Sequence, residues 1–235
     1  MSKFNVFLFA IVCISSQYSF AVTKIAPWSE GVFKQVEKDY GKAGAMRMRK
    51  VYKIIQQSKN KSLNEKLTIA NNTLNSLPWI ADKKKWLKGD YWATGLETIA
   101  LFGGDCEDMA IGKLAMLRFM GVAKKNLYLG YVKVKRTNEI HMVLVWINDQ
   151  RTQSKVLDNI VKTIKTGKQR KDLIAVYLVD LDGNMIILND NGKNRSIKGE
   201  VSGKKLKKLE EVKKRSRNNI AKYTKANGGT PLYTK

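Results

Sequence analysis

Apolar residues recur at helical spacing at Trp28, Val32, Phe33, Val36 and Tyr40, which predicts a first helix with one buried face. Ser62-Leu63-Asn64-Glu65 has the form of a capping box ahead of Leu67, Ala70, Leu74 and Leu77, and Pro78 ends that second helix. Thr94-Gly95-Leu96-Glu97 repeats the pattern and opens a short helix that Gly103-Gly104 terminates. Met109, Ala110, Leu114 and Leu117 then form the buried face of a helix that stops at Gly121. That helix begins at Asp105-Cys106-Glu107-Asp108, so Cys106 falls in a first turn. Beyond Gly121 the apolar spacing shortens to β-rich runs: Leu127 to Val134, His141 to Ile147, Lys155 to Ile160, and Leu173 to Leu188 broken by the turn Asp182-Gly183-Asn184. Helices followed by an antiparallel meander, without βαβ alternation, predict an α+β fold with helices packed on the sheet.

The first stretch alters the picture of the chain's destination. Lys3, the apolar run Phe4 to Ile14 and the small-residue end Ser19-Phe20-Ala21 read as a secretory signal peptide cleaved after Ala21, residues 1–21. About 11 apolar residues are too few to span a bilayer, which takes roughly 20, and no later segment is apolar enough. The expected mature chain therefore has no transmembrane segment. Cys13 lies within the leader, so cleavage leaves Cys106 as the one thiol and no intramolecular disulfide. The 235 residues carry 44 Lys plus Arg against 20 Asp plus Glu, a net charge of +24. Hydrophobic residues at 43% and only 3 prolines exclude a disordered or collagen-like chain. We divide the mature chain into a domain over 22–190 and a basic extension over 191–235. The extension holds 14 basic and 3 acidic residues, and it reads as a solvated helix or frayed tail with a thin stripe at Leu206, Leu209 and Val212.

Chemistry has few places to reside, because the chain contains a single histidine. A thiol is a nucleophile as thiolate, and a helix N-terminus stabilises that anion. Cys106 occupies such a position. His141, at the start of a strand, can exchange the proton, and Asp158, ending an apolar strand one connection later, can fix the imidazole. A buried cysteine that is merely a small hydrophobe is the competing reading. Asp105, Glu107 and Asp108 pose a difficulty, because carboxylates beside a thiol oppose its ionisation. By residue type alone they could simply cap the helix. The backbone N–H of Cys106 is the default oxyanion donor; Tyr91 or Trp92 could supply a second or pack in the core.

The segments Asp90-Tyr91-Trp92-Ala93-Thr94, Gly104-Asp105-Cys106-Glu107-Asp108-Met109-Ala110-Ile111, Tyr131-Val132-Lys133, His141-Met142-Val143-Leu144 and Val156-Leu157-Asp158-Asn159 resemble the bacterial transglutaminase-like cysteine proteinases, of the LapG-type periplasmic class. The resemblance runs from about Trp28 to Leu188 and implies a papain-like, transglutaminase-like fold. It implies a Cys-His-Asp triad at Cys106, His141 and Asp158, and a calcium site with ligands at Asp105 and Glu107 and a weaker addition at Asp108. It also implies a periplasmic endopeptidase that cuts a large cell-surface adhesin near its N-terminus at a di-alanine site, releasing it and dispersing biofilm. An inner-membrane receptor for cyclic di-GMP, of the LapD type, is the implied regulator. Two other readings stand beside this one: an acyltransferase of the same fold, and a non-enzymatic basic protein that binds polyanions. No nucleic-acid motif supports a nucleic-acid partner.

Overall fold

Among the described residues two α-helices begin where a side chain satisfies their unpaired N–H groups, and the longer helices continue as long as an apolar stripe has something to cover. In the computed structural model, which describes residues 27–188, 194–197 and 204–233, helix α1 spans Glu30–Gln57. The stripe of Val32 and Val36 continues through Ala45, Met48, Val51 and Ile55, all buried, so the helix runs well beyond Tyr40. It is interrupted at Gly41, whose φ of 75° is cheap only for glycine. The two capping boxes form as the sequence predicts. The Ser62 hydroxyl accepts from Glu65 while the Glu65 carboxylate accepts from the Ser62 N–H at the start of α2, Leu63–Asn75. Thr94 and Glu97 make the same exchange after the short α3, Asp82–Lys85, at the start of α4, Gly95–Ala100. Helix α5, Cys106–Phe119, follows directly.

Six antiparallel strands complete the fold: β1 Leu127–Val134, β2 Ile140–Ile147, β3 Ser154–Leu157, β4 Leu173–Asp180, β5 Met185–Leu188 and β6 Asn194–Ile197, in the order β3-β2-β1-β4-β5-β6. Alternation along β2 sends Met142 and Leu144 into the main core with the helices, and Val143 and Val145 into a smaller cluster on the opposite face. This is an α+β, transglutaminase-like arrangement, with α5 packed on β2 and flanked by α2 and α4. The sheet edge that matters is β2–β3, because its register, Leu144 opposite Leu157, carries the ends of both strands toward the start of α5.

The basic tail is more structured than its composition suggests. Helix α6 spans Lys204–Ala226, and its stripe is covered: Leu209, Val212 and Tyr223 are buried in the main core, as is Leu232 beyond it. The thin stripe reads as solvated in sequence because its partners lie far away on α1, α4 and α5. The leader over residues 1–21, with Cys13, lies outside the described residues. Among the described residues no helix is long and apolar enough to cross a membrane.

Candidate active site

Cys106 is the first residue of α5, reached from a pinned turn: Gly104 bridges Trp79, and its carbonyl accepts from the Ile80 N–H at 2.9 Å. Trp79 itself is 61% exposed, which places an indole at the surface one backbone bridge from the residues before the nucleophile. The Cys106 thiol donates to Glu107 Oε2 at 3.1 Å. Burial, then the Glu107 carboxylate, pushes the thiol well above its ordinary range, while the Met142 backbone N–H directed at the sulfur works the other way. That N–H belongs to the residue after His141, so the sulfur lies against the first turn of β2.

His141 and Asp158 meet at a buried contact: His141 Nε2 lies 2.8 Å from Asp158 Oδ1. Nε2 is thereby taken, and Nδ1 is the ring nitrogen left for proton exchange. Asp158 Oδ1 also accepts from the Ile160 N–H at 2.9 Å, and Oδ2 accepts from Arg170 Nη2 at 2.7 Å. Burial favours the neutral acid, but the hydrogen bonds and charges of His141, Ile160 and Arg170 prevail and hold the Asp158 carboxyl well below the usual carboxylate range. From behind, Asn75 Nδ2 donates to the Asp158 carbonyl at 2.8 Å. Lys113, on α5 and fully buried, also bears on Asp158; burial pulls its amine down to about 7.

Three of the carboxylates beside Cys106 fall where the sequence placed them, and the structure adds two. Asp105 is the N-cap of α5, yet its side chain makes no capping bond. Instead, oxygens of Asp82, Asp105 and Asp108 lie within 4.8 Å of one another, as do oxygens of Asp82, Asp90 and Glu107. Asp82 belongs to both groups. Asp82 Oδ1, Asp105 Oδ1 and Asp108 Oδ2 are buried without a hydrogen-bond partner. Burial first, then the neighbouring carboxylates, pushes Asp105 up to about 9; burial does the same to Asp108, to about 7, against the pull of the Ala93 N–H. Gly104 leaves room for this packing, since a Cβ there would meet Asp108 Oδ2 at 2.3 Å. A set of buried oxygens that repel one another and lack donors is what a hard cation satisfies.

The segment before α4 supports this cluster. The Tyr91 N–H donates to Asp82 and the Ala93 N–H donates to Asp108 Oδ1 at 2.6 Å. The side chains offered as oxyanion donors are engaged elsewhere: the Tyr91 hydroxyl donates to Glu97 at 2.9 Å and the Trp92 indole N–H to Asp90 at 3.1 Å. Arg170, Asp82 and Asp90 are the site residues that sequence reasoning missed. Asp90 sits in a segment quoted for its resemblance, Asp82 is hidden ahead of a lysine run, and Arg170 follows the short 3-10 turn Gly167–Gln169 and carries no periodic signal.

Comparison with known proteins places the chain in a family. Residues 36–172 match the Peptidase C93 family, described as bacterial transglutaminase-like cysteine proteinase BTLCP. Among solved structures, calcium-bound Legionella pneumophila LapG is 25% identical with a TM-score of 0.67, and covers 81% of this chain and 99% of its own. EGTA-treated L. pneumophila LapG is 26% identical over the same shares, with a TM-score of 0.65. No curated protein matches the sequence. The family match spans more than half of the chain and includes the cysteine, histidine and aspartate whose geometry is described above: the chain belongs to the bacterial transglutaminase-like cysteine proteinases.

Proposed function

We propose that the chain is a calcium-dependent periplasmic endopeptidase in which Cys106, His141 and Asp158 form the catalytic triad. The observation that carries the reading is the His141 Nε2 to Asp158 Oδ1 contact at 2.8 Å, which fixes the ring of the chain's single histidine and leaves Nδ1 for a thiol whose sulfur lies against the N–H of the next residue, Met142. His141 Nδ1 takes the thiol proton as Cys106 Sγ attacks the peptide carbonyl, and returns it to the leaving amine as the C–N bond breaks. Water, deprotonated by the same nitrogen, then hydrolyses the thioester. The Cys106 N–H, free at the start of α5, faces the developing oxyanion. Asp158, anchored by Arg170 and Ile160, keeps the ring from turning away.

The residues present fit a calcium ion: Asp82, Asp105 and Asp108 offer buried oxygens with no other partner, and Asp90 and Glu107 lie beside them. When bound, the ion supplies positive charge that offsets the carboxylates opposing ionisation of the thiol. The neighbours described as calcium-bound and EGTA-treated support the same choice of cation. The Cys106 thiol donates to Glu107 Oε2 at 3.1 Å, so its S–H must turn from that carboxylate toward His141 Nδ1 before Cys106 can react.

The substrate we assign is the N-terminal region of a large surface adhesin, cut at a di-alanine site, with an inner-membrane cyclic di-GMP receptor of the LapD type as regulator and biofilm release as the outcome. Export by the residue 1–21 leader brings the enzyme to that substrate. The experiment incubates the purified protein with N-terminal adhesin fragments, with and without calcium, and maps the products by mass spectrometry. One cut, dependent on Cys106 and on calcium, is expected. Intact fragments under all conditions would overturn the substrate, and equal cutting in EGTA would overturn the cation.

A further inference from the structure

The segment between α3 and α4 has an unusual burden. Its N–H groups at Tyr91 and Ala93 donate to two carboxylates of the acidic cluster, and Asp90 belongs to that cluster. Glu97 of α4 accepts from the Tyr91 hydroxyl, and Trp86 at the end of α3 packs on the Tyr91 ring. Helix α6, more than a hundred residues later, holds the backbone of the segment. Arg215 Nη2 donates to the Trp92 carbonyl, its guanidinium carbon lies 4.4 Å from the Tyr91 ring centroid, and its Nε lies 3.8 Å from Glu97 Oε2. One turn pair earlier, Lys208 Nζ donates to the Asp90 carbonyl and lies 3.5 Å from the Asp90 carboxylate.

We infer that α6 is a clamp on the cation site, with Arg215 as its principal positioning residue. This rests on the calcium reading above and assigns the basic tail a part in it. The chemistry is that of an outer shell. Arg215 acts through the Trp92 carbonyl, and so through the Ala93 N–H of the same peptide plane that holds Asp108, while Lys208 fixes the Asp90 carbonyl and with it the Tyr91 N–H that holds Asp82. Buried Leu209, Val212 and Tyr223 seat the helix so that Arg215 and Lys208 reach the segment. A planar guanidinium can stack on Tyr91 and donate to Trp92 at once, which an ammonium cannot do. Outer-shell partners of this kind typically set metal affinity by 10–100-fold.

The test uses the full mature chain and three variants, Arg215→Met, Arg215→Lys and Lys208→Met, with calcium titrated by calorimetry and amide exchange followed over residues 90–97. Arg215→Met should weaken calcium binding about ten-fold or more and speed exchange at Tyr91 and Ala93. Arg215→Lys should not restore either property, and Lys208→Met should weaken binding less. Activity of Arg215→Met should be low at limiting calcium and approach wild type at saturation, and faster exchange should be confined to residues 90–97, whereas a general loss of stability speeds exchange throughout the chain. Wild-type calcium affinity in Arg215→Met, or unchanged exchange over 90–97, overturns the clamp. If Arg215→Met does not fold, Lys208→Met decides: unaltered affinity and exchange overturn the clamp. If the wild type binds no calcium, the calcium reading fails, and the exchange data alone then tell whether α6 anchors the segment.

Discussion

Arg170→Met isolates the residue that anchors Asp158 Oδ2. Arg170 and Asp158 are 4% and 1% exposed, so solvent screens their 2.7 Å bond very little. Breaking a buried ion pair by removing one partner costs about 3–5 kcal/mol. Against that, Arg170 Nη1 is buried without a partner, a defect costing about 1–3 kcal/mol that the methionine removes. The second pair, to Asp172, is half exposed on the acid's side and adds about 0–1 kcal/mol. The expected net loss is about 2 kcal/mol, or about 6 °C in melting temperature for a chain of this size. The sign with pH follows from Asp158, whose carboxyl is depressed in the fold. Its contribution is present above the ordinary carboxylate pKa and lost as pH falls through the native value. Arg170→Met raises that native value, so acid unfolding should begin at higher pH than in wild type. Urea denaturation at pH 7 and a pH-stability series measure both effects, and kcat/KM should fall about ten-fold as Asp158 loosens. A melting temperature within about 1 °C of wild type, together with unchanged kcat/KM and acid stability, would refute the anchoring role.

Lys113→Met should stabilise the fold at pH 6 by about 5 kcal/mol, because the native amine, pulled down to about 7, bears its full burial cost below that value. The native state sheds that proton as pH rises while the unfolded chain keeps it, so the advantage of the methionine should shrink toward pH 10 in urea titrations; a gap independent of pH would refute the reasoning. Gly104→Ala should destabilise the fold by about 1–3 kcal/mol and weaken calcium binding, since the new methyl meets Asp108 Oδ2; calorimetry and thermal melts check both. Chelation with EGTA should lower activity and melting temperature, calcium should restore them, and magnesium should do so poorly because it holds its waters and demands octahedral geometry. Full activity and an unshifted melt in chelator would refute the cation site at Asp82, Asp105 and Asp108.

What was legible in the sequence was local. Capping at Ser62 and Thr94, the placement of Cys106 in a first turn, the strand start bearing His141 and the strand end leading into Asp158 depend on neighbours within a few residues, and each appears in the fold. Spacing also gave the order of the three groups, because an antiparallel pair returns β3 beside β2 by a short connection. What escaped was long-range. Asp82 joins the acidic cluster only because the turn at Trp79 and Ile80 is bridged to Gly104. Arg170 reaches Asp158 across a loop with no period to betray it. The stripe of α6 looked too thin to be buried because its charges dominate the composition, whereas Leu209, Val212 and Tyr223 suffice to dock it. The same docking turns two basic residues inward, which no count of charge could show.

In the proposed mechanism one imidazole serves every proton transfer at Cys106, and a single comparison tests it. His141 is the only histidine, so nothing of its kind can replace it. The measurement is kcat/KM of His141→Ala against wild type on a cleaved adhesin peptide at saturating calcium, with folding confirmed by circular dichroism. The account predicts a fall of at least about a thousand-fold. Turnover within about ten-fold of wild type, a barrier change of only about 1.4 kcal/mol, would contradict it.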